Sequence, residues 1–443
     1  MSQFPRYDEA FILRELVALS QDSPRLVIFS LRPCRDRVIH EQAKALQPQT
    51  VYAPFVWSWQ VWRSHAHVLQ HNLRGYLRAL GWIISRHWRH PVILVKTLAF
   101  FPKTVHFARL AQQRGVTHVH AFWATYPAAA AMIMRELTGI PFSMSGHAHD
   151  IHTINPTLTE KMQHARFVVT CTQANRDYLL SLVNSHGARG GRQGAGTTKT
   201  IVEGFSTPPV PRPPSHVMVS YHGVDLSRFA ARPKDHGPVC RILAVGSLLP
   251  CKGYETLIEG CTRLRERGAA FHVTIAGGGP LERALRQRIA KHALTQQVTM
   301  TGFVSQETVA ALYQQAHLVI LPLVSKIHWG IPNVLIEALA TKTPVICCDL
   351  PSMRELVVHG ESGWIIPEND PNALATSIVT LWKDAALRQR IADAGYQRVV
   401  ERFSLEETGR KLREIFSQGQ GAGDRGQVQT DFPAPRAPRP KVP

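Results

Sequence analysis

The feature that most limits what this chain can become is an alternation, run through twice, of short apolar segments with amphipathic stretches. In the first half, RLVIFSL (25–31), THVHAFWA (117–124), IPFSMSGH (140–147), ARFVVTCT (165–172) and VMVSYHGV (217–224) have the length and apolar character of strands buried in a parallel sheet. Helical patterns such as AAAAMIMRELTG separate several of them. From about 184 to 215 the pattern dissolves into HGARGGRQGAGTT and STPPVPRPPS, a Gly/Pro-rich insertion. It then restarts with RILAVGS (241–247), FHVTIAGGG, QVTMTGFV, AHLVILPLV and TPVICCD. Between the first two of these, YETLIEGCTRLRERG sets Leu257, Ile258, Cys261 and Leu264 on one helical face and stops at Gly268.

Strands and helices in strict succession imply right-handed crossovers and open parallel sheets. The expected fold class is therefore α/β, with two Rossmann-like, doubly wound domains facing each other across a cleft. The divisions read from the sequence are an N-terminal domain 1–226, a linker 227–239 and a C-terminal domain 240–400. A helix at 401–417 is expected to pack back on the N-terminal domain, and the tail 418–443 has too few apolar residues to fold. A chain of 443 residues with 44% hydrophobic side chains is long enough for two such cores.

The formal net charge of +19 calls for a polyanionic partner, and its distribution narrows the choice. No Asp or Glu occurs between Glu41 and Glu136, while residues 55–96 hold five of the nine Trp amid Arg, Lys and His. Trp and Arg interleaved at an apolar boundary suit a segment lying on an anionic membrane surface. A pair of core helices with solvated basic faces reads the same residues equally well. Nucleic acid is not expected as a partner, because no RNP, helix-turn-helix or zinc pattern accompanies the charge. The seven Cys have no CxxC spacing, so neither a disulfide framework nor a metal site is indicated, and a reducing cytoplasm fits. No apolar run reaches the roughly 18 residues that span a bilayer.

Three turns carry chemistry. In GIPNVLIEALA, Gly330 permits close backbone approach and Pro332 suits the first turn of a helix. The N–H groups of Ile331, Asn333 and Val334 are then free at a positive helix end, a site for phosphate, and Glu337 lies about one turn in. In AVGSLLPCKGYETL a strand runs into Gly246, with Lys252 following before Gly253; the Walker spacing is absent, and a lone Lys here also reads as a solvated surface residue. AGGGPLERAL lacks the GxGxxG fingerprint, which disfavours hydride transfer to a dinucleotide.

The ordered series VGSLLPCKG, AGGGP, TGFV, GIPNVLIEALA, TPVICCDLPSMREL and GESGWIIPENDPNAL resembles the retaining family 4 glycosyltransferases of GT-B fold. The opening FPRYDEAFILREL, with HVHAFWAT, GIPFSMSGHAHDIH and YHGVDLSRF, is similar to the branch that builds colanic acid and related exopolysaccharides. In that opening Glu9 and Phe11 fit, whereas Asp8 and Ala10 replace a Ser and a Thr. That branch has a complete strand before this point, so the resemblance implies a start upstream of Met1 or a truncated chain.

What the resemblance implies is transfer of a sugar from a nucleotide diphosphate sugar to a lipid-linked or polysaccharide acceptor, with retention and without a metal or other cofactor. Lys252 then corresponds to the lysine that holds the donor diphosphate, together with Gly246, and the helix start after Gly330 cradles the distal phosphate. Phe303 and Val304 bound the nucleobase, and Glu337 binds the ribose. Glu9, His147 and Asp150 fall on the acceptor side. His147 would stand beside the transferring sugar, with Asp150 as its partner or as a helix cap; read without the family, His147 is one of 22 His and structural. Two departures stand out. Ser247 replaces an arginine that grips the diphosphate, and Trp329 replaces the acid eight positions before Glu337 that contacts the transferred sugar. Trp offers an indole N–H and a stacking face instead, which alters sugar recognition. The other function class these changes allow is a nucleotide-sugar-binding protein with weakened catalysis.

Overall fold

The computed structural model describes residues 1–6, 9–22, 26–34, 39–190, 216–234, 237–325 and 330–421. The C-terminal domain is built on β7 (Cys240–Val245), β8 (Phe271–Ala276), β9 (Val298–Gly302), β10 (Leu318–Leu321), β11 (Val345–Cys348) and β12 (Trp364–Ile366). These lie in the order β12-β11-β10-β7-β8-β9, and every pair is parallel. The central strands β10 and β11 are buried at every position, as expected of Val/Ile-rich segments covered by helices on both faces. The chain winds outward from β7 through β9, then returns to the other side of β7 as β10. That reversal opens a crevice at the carboxyl ends of β7 and β10.

In the N-terminal domain β3 (Val119–Ala121), β4 (Phe142–Gly146), β5 (Val168–Thr170) and β6 (Val217–Val219) form a parallel sheet in sequence order. A separate parallel pair joins β1 (Ile28–Ser30) to β2 (Thr50–Tyr52). Each apolar segment read as a strand contains one, usually shorter than the apolar run because its ends turn into loops. The three-residue β2 and β12 are the strands that pattern reading missed. β2 carries one apolar residue between two polar ones and is not buried anywhere, so period-two contrast has nothing to register. The helix Gln173–Gly190 continues past 184, where the Gly-rich composition suggested loop; residues 191–215 and 422–443 lie outside the described residues. None of the described helices is long and apolar enough to cross a membrane.

Away from the cleft, a helix pair and a polar cluster tie the domains together. The helix Leu405–Gly421 lies along the helix Ala10–Asp22, where Leu412 and Ile415 share a core with Phe4, Ile12 and Leu16. Gly409 lets the two helices approach, since a Cβ there would stand 3.2 Å from that of Ala18. The second tie is polar. The Glu355 carboxylate accepts from the backbone N–H groups of Gln173 (2.7 Å) and Ala174 (2.9 Å), and from the Tyr221 hydroxyl (2.9 Å). A C-terminal-domain acid thus satisfies the free end of an N-terminal-domain helix, with the dipole in its favour. Glu355→Ala is expected to cost about 1–3 kcal/mol of stability and to loosen the closed arrangement. Thermal unfolding and the radius of gyration in solution check it: an unchanged Tm and an unchanged radius would contradict the role.

Candidate active site

At the crevice, two glycine-rich turns and a third loop pack on one another. Past β7 the chain turns at Gly246 and forms a short 3-10 turn, Pro250–Lys252, closed by Gly253 in the left-handed region (φ 67°). The loop after β8 is pressed against it. A Cβ on Gly277 would meet the Gly246 carbonyl oxygen at 2.0 Å, and the Leu248 N–H donates to the Gly278 carbonyl at 3.0 Å. The loop after β10 completes the set, its Val324 N–H donating to the Cys251 carbonyl at 3.0 Å. Lys252 folds back over the turn, its Cε 4.0 Å from where a Gly246 Cβ would be. Burial lowers its ammonium pKa, so a bound anion would be stabilised and would itself restore the charge. Ser247 is exposed on the same turn.

Phe303 follows β9 and is 84% exposed, with its ring edge directly over Gly278. An aromatic face left open in this way is a stacking surface for a flat ligand. The neighbouring Val304 is half-buried and packs on the domain core. The helix Asn333–Ala340 starts at the crevice with no side-chain cap. Pro332 is its N-cap rather than a first-turn residue (φ −68°, ψ 128°), because its carbonyl already accepts from the Leu335 N–H. The N–H groups of Asn333 and Val334 therefore have no acceptor within the helix, while Ile331 packs against the core. Glu337 receives a hydrogen bond from the Tyr313 hydroxyl at 3.2 Å; burial raises its pKa, against the opposing pull of Arg14. Trp329 lies outside the described residues.

The facing wall comes from the N-terminal domain. A Cβ on Gly330 would be 3.4 Å from that of Ala148, the residue after His147, so the two domains nearly touch just before the helix Asn333–Ala340. His147 is buried, between Phe11 and Trp123 with ring centroids 4.9 Å away on each side. Asp150 is not a partner for its ring. It is a cap: one carboxylate oxygen accepts from the His147 backbone N–H at 2.6 Å and the other from the Ala124 N–H. Burial raises the Asp150 pKa to about 7, and the buried Lys161 ammonium, which donates to Asn155 Oδ1 at 2.8 Å, lies in the same network. Glu9 pairs with Arg6 at 3.2 Å, on the side of the amino terminus.

The acid that does reach His147 is Glu15, which sequence reading did not single out. Its carboxylate, a ring nitrogen of His147 and one of His222 lie within 4.8 Å of one another. These are donor types that could hold a metal, although no such set was expected. They are also two neutral bases beside an acid. Burial and the neighbouring His222 push His147 well below its usual range, and burial beside Arg14 brings His222 to about 4. His222 links the walls through a hydrogen bond to the Asn333 side chain, while His147 Nδ1 and His222 Nε2 are buried and unpaired among the described residues. The signal available in the sequence was helical spacing: Phe11, which stacks on His222 at 4.5 Å, and Glu15 are four residues apart on one helix face.

Burial raises the Glu15 pKa to about 8. Between the ordinary glutamate range and that value the folded chain holds a proton that the unfolded chain has lost, so stability falls as pH rises through this window. Glu15→Gln removes that slope. We expect the variant to gain stability relative to wild type by roughly 3–4 kcal/mol between about pH 5 and pH 8. Urea unfolding at both values measures it, and parallel slopes would exclude a buried protonated Glu15.

Residues 232–398 match the family model described as Glycosyl transferases group 1. The C-terminal domain is therefore similar to the group 1 glycosyl transferases over these residues. A putative colanic acid biosynthesis glycosyltransferase WcaL of Escherichia coli is 40% identical over 209 residues, which is 46% of this chain and 52% of that protein. The amylovoran biosynthesis glycosyltransferase AmsK of Erwinia amylovora is 32% identical over 211 residues, with the same shares. The chain thus matches about half the length of these relatives. A crystal structure of HepE from Anabaena, in complex with UDP and glucose, superimposes with a TM-score of 0.62 at 15% identity, over 94% of this chain and 96% of that one. A sucrose-phosphate synthase from Thermosynechococcus elongatus gives 0.64 at 17% identity, over 93% and 92%. The fold is GT-B, with the group 1 domain supplying one wall of the cleft.

Proposed function

We propose that this chain is a glycosyltransferase that moves a sugar from a nucleotide diphosphate sugar to a glycan or lipid-linked acceptor in exopolysaccharide synthesis, with retention and without a resident metal. The observation that supports this reading is that Lys252 and an uncapped helix start follow the adjacent parallel strands β7 and β10, with the neutral imidazoles of His147 and His222 brought up from the N-terminal domain. A departing nucleoside diphosphate develops negative charge on its phosphate oxygens. Lys252 and the N–H groups of Asn333 and Val334 stand on the turns that follow β7 and β10, and would meet that charge there. Phe303 offers a face for the base, and Glu337 accepts from ribose hydroxyls when ionised. His147 and His222, neutral at physiological pH, can accept or donate one hydrogen bond each to sugar or acceptor hydroxyls.

The relatives named for colanic acid and amylovoran support a polysaccharide product, and the UDP bound by HepE makes uridine nucleotides the first to try. A thermal-shift panel of UDP and GDP sugars, followed by assay of nucleoside diphosphate release with a glycan acceptor, tests the reading. A donor that raises Tm and is turned over supports it, with Glu337→Ala weakening donor KM about tenfold or more. A donor that binds without turnover would point to the binding protein instead, and no shift with any donor would overturn both.

A further inference from the structure

The acid-free N-terminal stretch folds into three successive helices, Trp59–His71, Leu73–His87 and Pro91–Gln113, which pack on one another and on the domain core. Trp82 is swallowed by that core, as are Phe101 and Phe107, but Phe55 and the other four Trp of the region are not. Phe55 is 73% exposed, Trp57 70% and Trp59 77%, and Trp62 stands 6.0 Å from Trp57. On the second helix the exposed apolar side chains are Leu73, Leu77 and Ile84, followed by Trp88 at its C-cap. Steps of four, seven and four residues keep these within about 60° of each other around the helix, so they form one stripe turned to solvent. Val92 and Val95 continue the exposure into the third helix. Single exposed apolar residues are ordinary, whereas a run of this size on consecutive elements marks an interaction surface.

The charge identifies the partner. Arg78 and Arg86 are neutralised by Glu136 and Glu160, acids borne on other helices. Arg63, Arg74, Arg89 and Lys96 have no carboxylate within ion-pair distance among the described residues, and no acid of their own segment could supply one. Arg89 instead packs on the exposed Trp88 ring, 5.0 Å from its centre. A second copy of the chain would bring like charge against like charge on this face. A lipid headgroup layer complements both features at once: indole rings seat at the boundary while guanidinium and ammonium groups meet phosphates.

We propose that this helical face docks the protein on an anionic lipid bilayer, lying on the surface without crossing it. The proposal does not depend on the donor site, since docking requires no nucleotide sugar. The test is co-sedimentation of the full chain with vesicles of phosphatidylcholine alone and of phosphatidylcholine with about one-third phosphatidylglycerol. We expect affinity for the anionic vesicles to be higher by on the order of 100-fold and to fall with salt. The triple variant Trp57→Ser/Trp59→Ser/Trp62→Ser, all at exposed positions, is expected to bind about tenfold or more weakly with an unchanged Tm. Arg63→Gln/Arg74→Gln/Arg89→Gln/Lys96→Gln is expected to abolish the preference for anionic lipid. Equal binding to both vesicles, or binding to neither, would overturn the proposal. So would concentration-dependent self-association that the Trp variant removes, which would assign the face to a second copy.

Discussion

Lys252→Ala is expected to lower kcat/KM for the nucleotide diphosphate sugar by about 10²–10³-fold, with much of the loss in kcat. The reason is the composition of the crevice. Where the resembling family has an arginine on the β7 turn this chain has Ser247, so under the proposed function the cation that turn offers to the diphosphate is Lys252. Its side chain is held over Gly246 by packing rather than left to solvent. Charge that develops only as the sugar–phosphate bond breaks is met by a group already in position, which is why the effect belongs chiefly to the chemical step. The pH profile supplies an independent reading. Burial lowers the Lys252 pKa in the free protein, so the alkaline limb of kcat/KM should begin below the range of a free lysine. Activity falls as pH rises through that limb, because the ammonium is the useful form. The limb should vanish in Lys252→Ala. A variant that keeps wild-type kcat and changes only KM would assign Lys252 to ground-state binding alone.

Gly253→Ala should have the largest effect on stability, about 4 kcal/mol or more. Two constraints meet at one atom. The residue has φ 67°, in the left-handed region, and a Cβ there would lie 1.7 Å from the Pro322 carbonyl oxygen. That oxygen belongs to the backbone just past β10, so it cannot turn aside as a flexible side chain would. The turn after β7 would have to lift away, taking Lys252 with it. Denaturant unfolding should show the loss, and thermal shift with the donor should show binding gone even below the unfolding transition. An alanine variant with wild-type stability would mean that the two loops are not in contact as described.

The strands of both halves were legible because a parallel strand covered on both faces must be apolar along its length, and RILAVGS or TPVICCD can be little else. β2 was not, since three residues with one apolar side chain carry no periodicity to read. Among candidate site residues, Lys252, Phe303, Gly330 and Glu337 were singled out by family resemblance, each lying in a turn or helix start whose local residues carry the motif. Asp150 was ambiguous in sequence between partner and cap, and the backbone resolved it as a cap. Glu15 was missed because no motif marks it; the helix face carrying Phe11 and Glu15 is turned toward His147.

By itself the amino-acid sequence determined two α/β layers, glycine turns at strand ends and a basic, Trp-rich segment without acids, because each follows from local periodicity and composition. Only the tertiary structure decided that β10 returns beside β7, which brings turns from distant stretches of chain into one crevice. It also decided that Glu15 and His222 join His147, and that four of the five Trp of residues 55–96 face solvent while Trp82 is buried. The physical reason is the same in each case: which side of an element is covered depends on elements far away in the chain, and no local pattern carries that information.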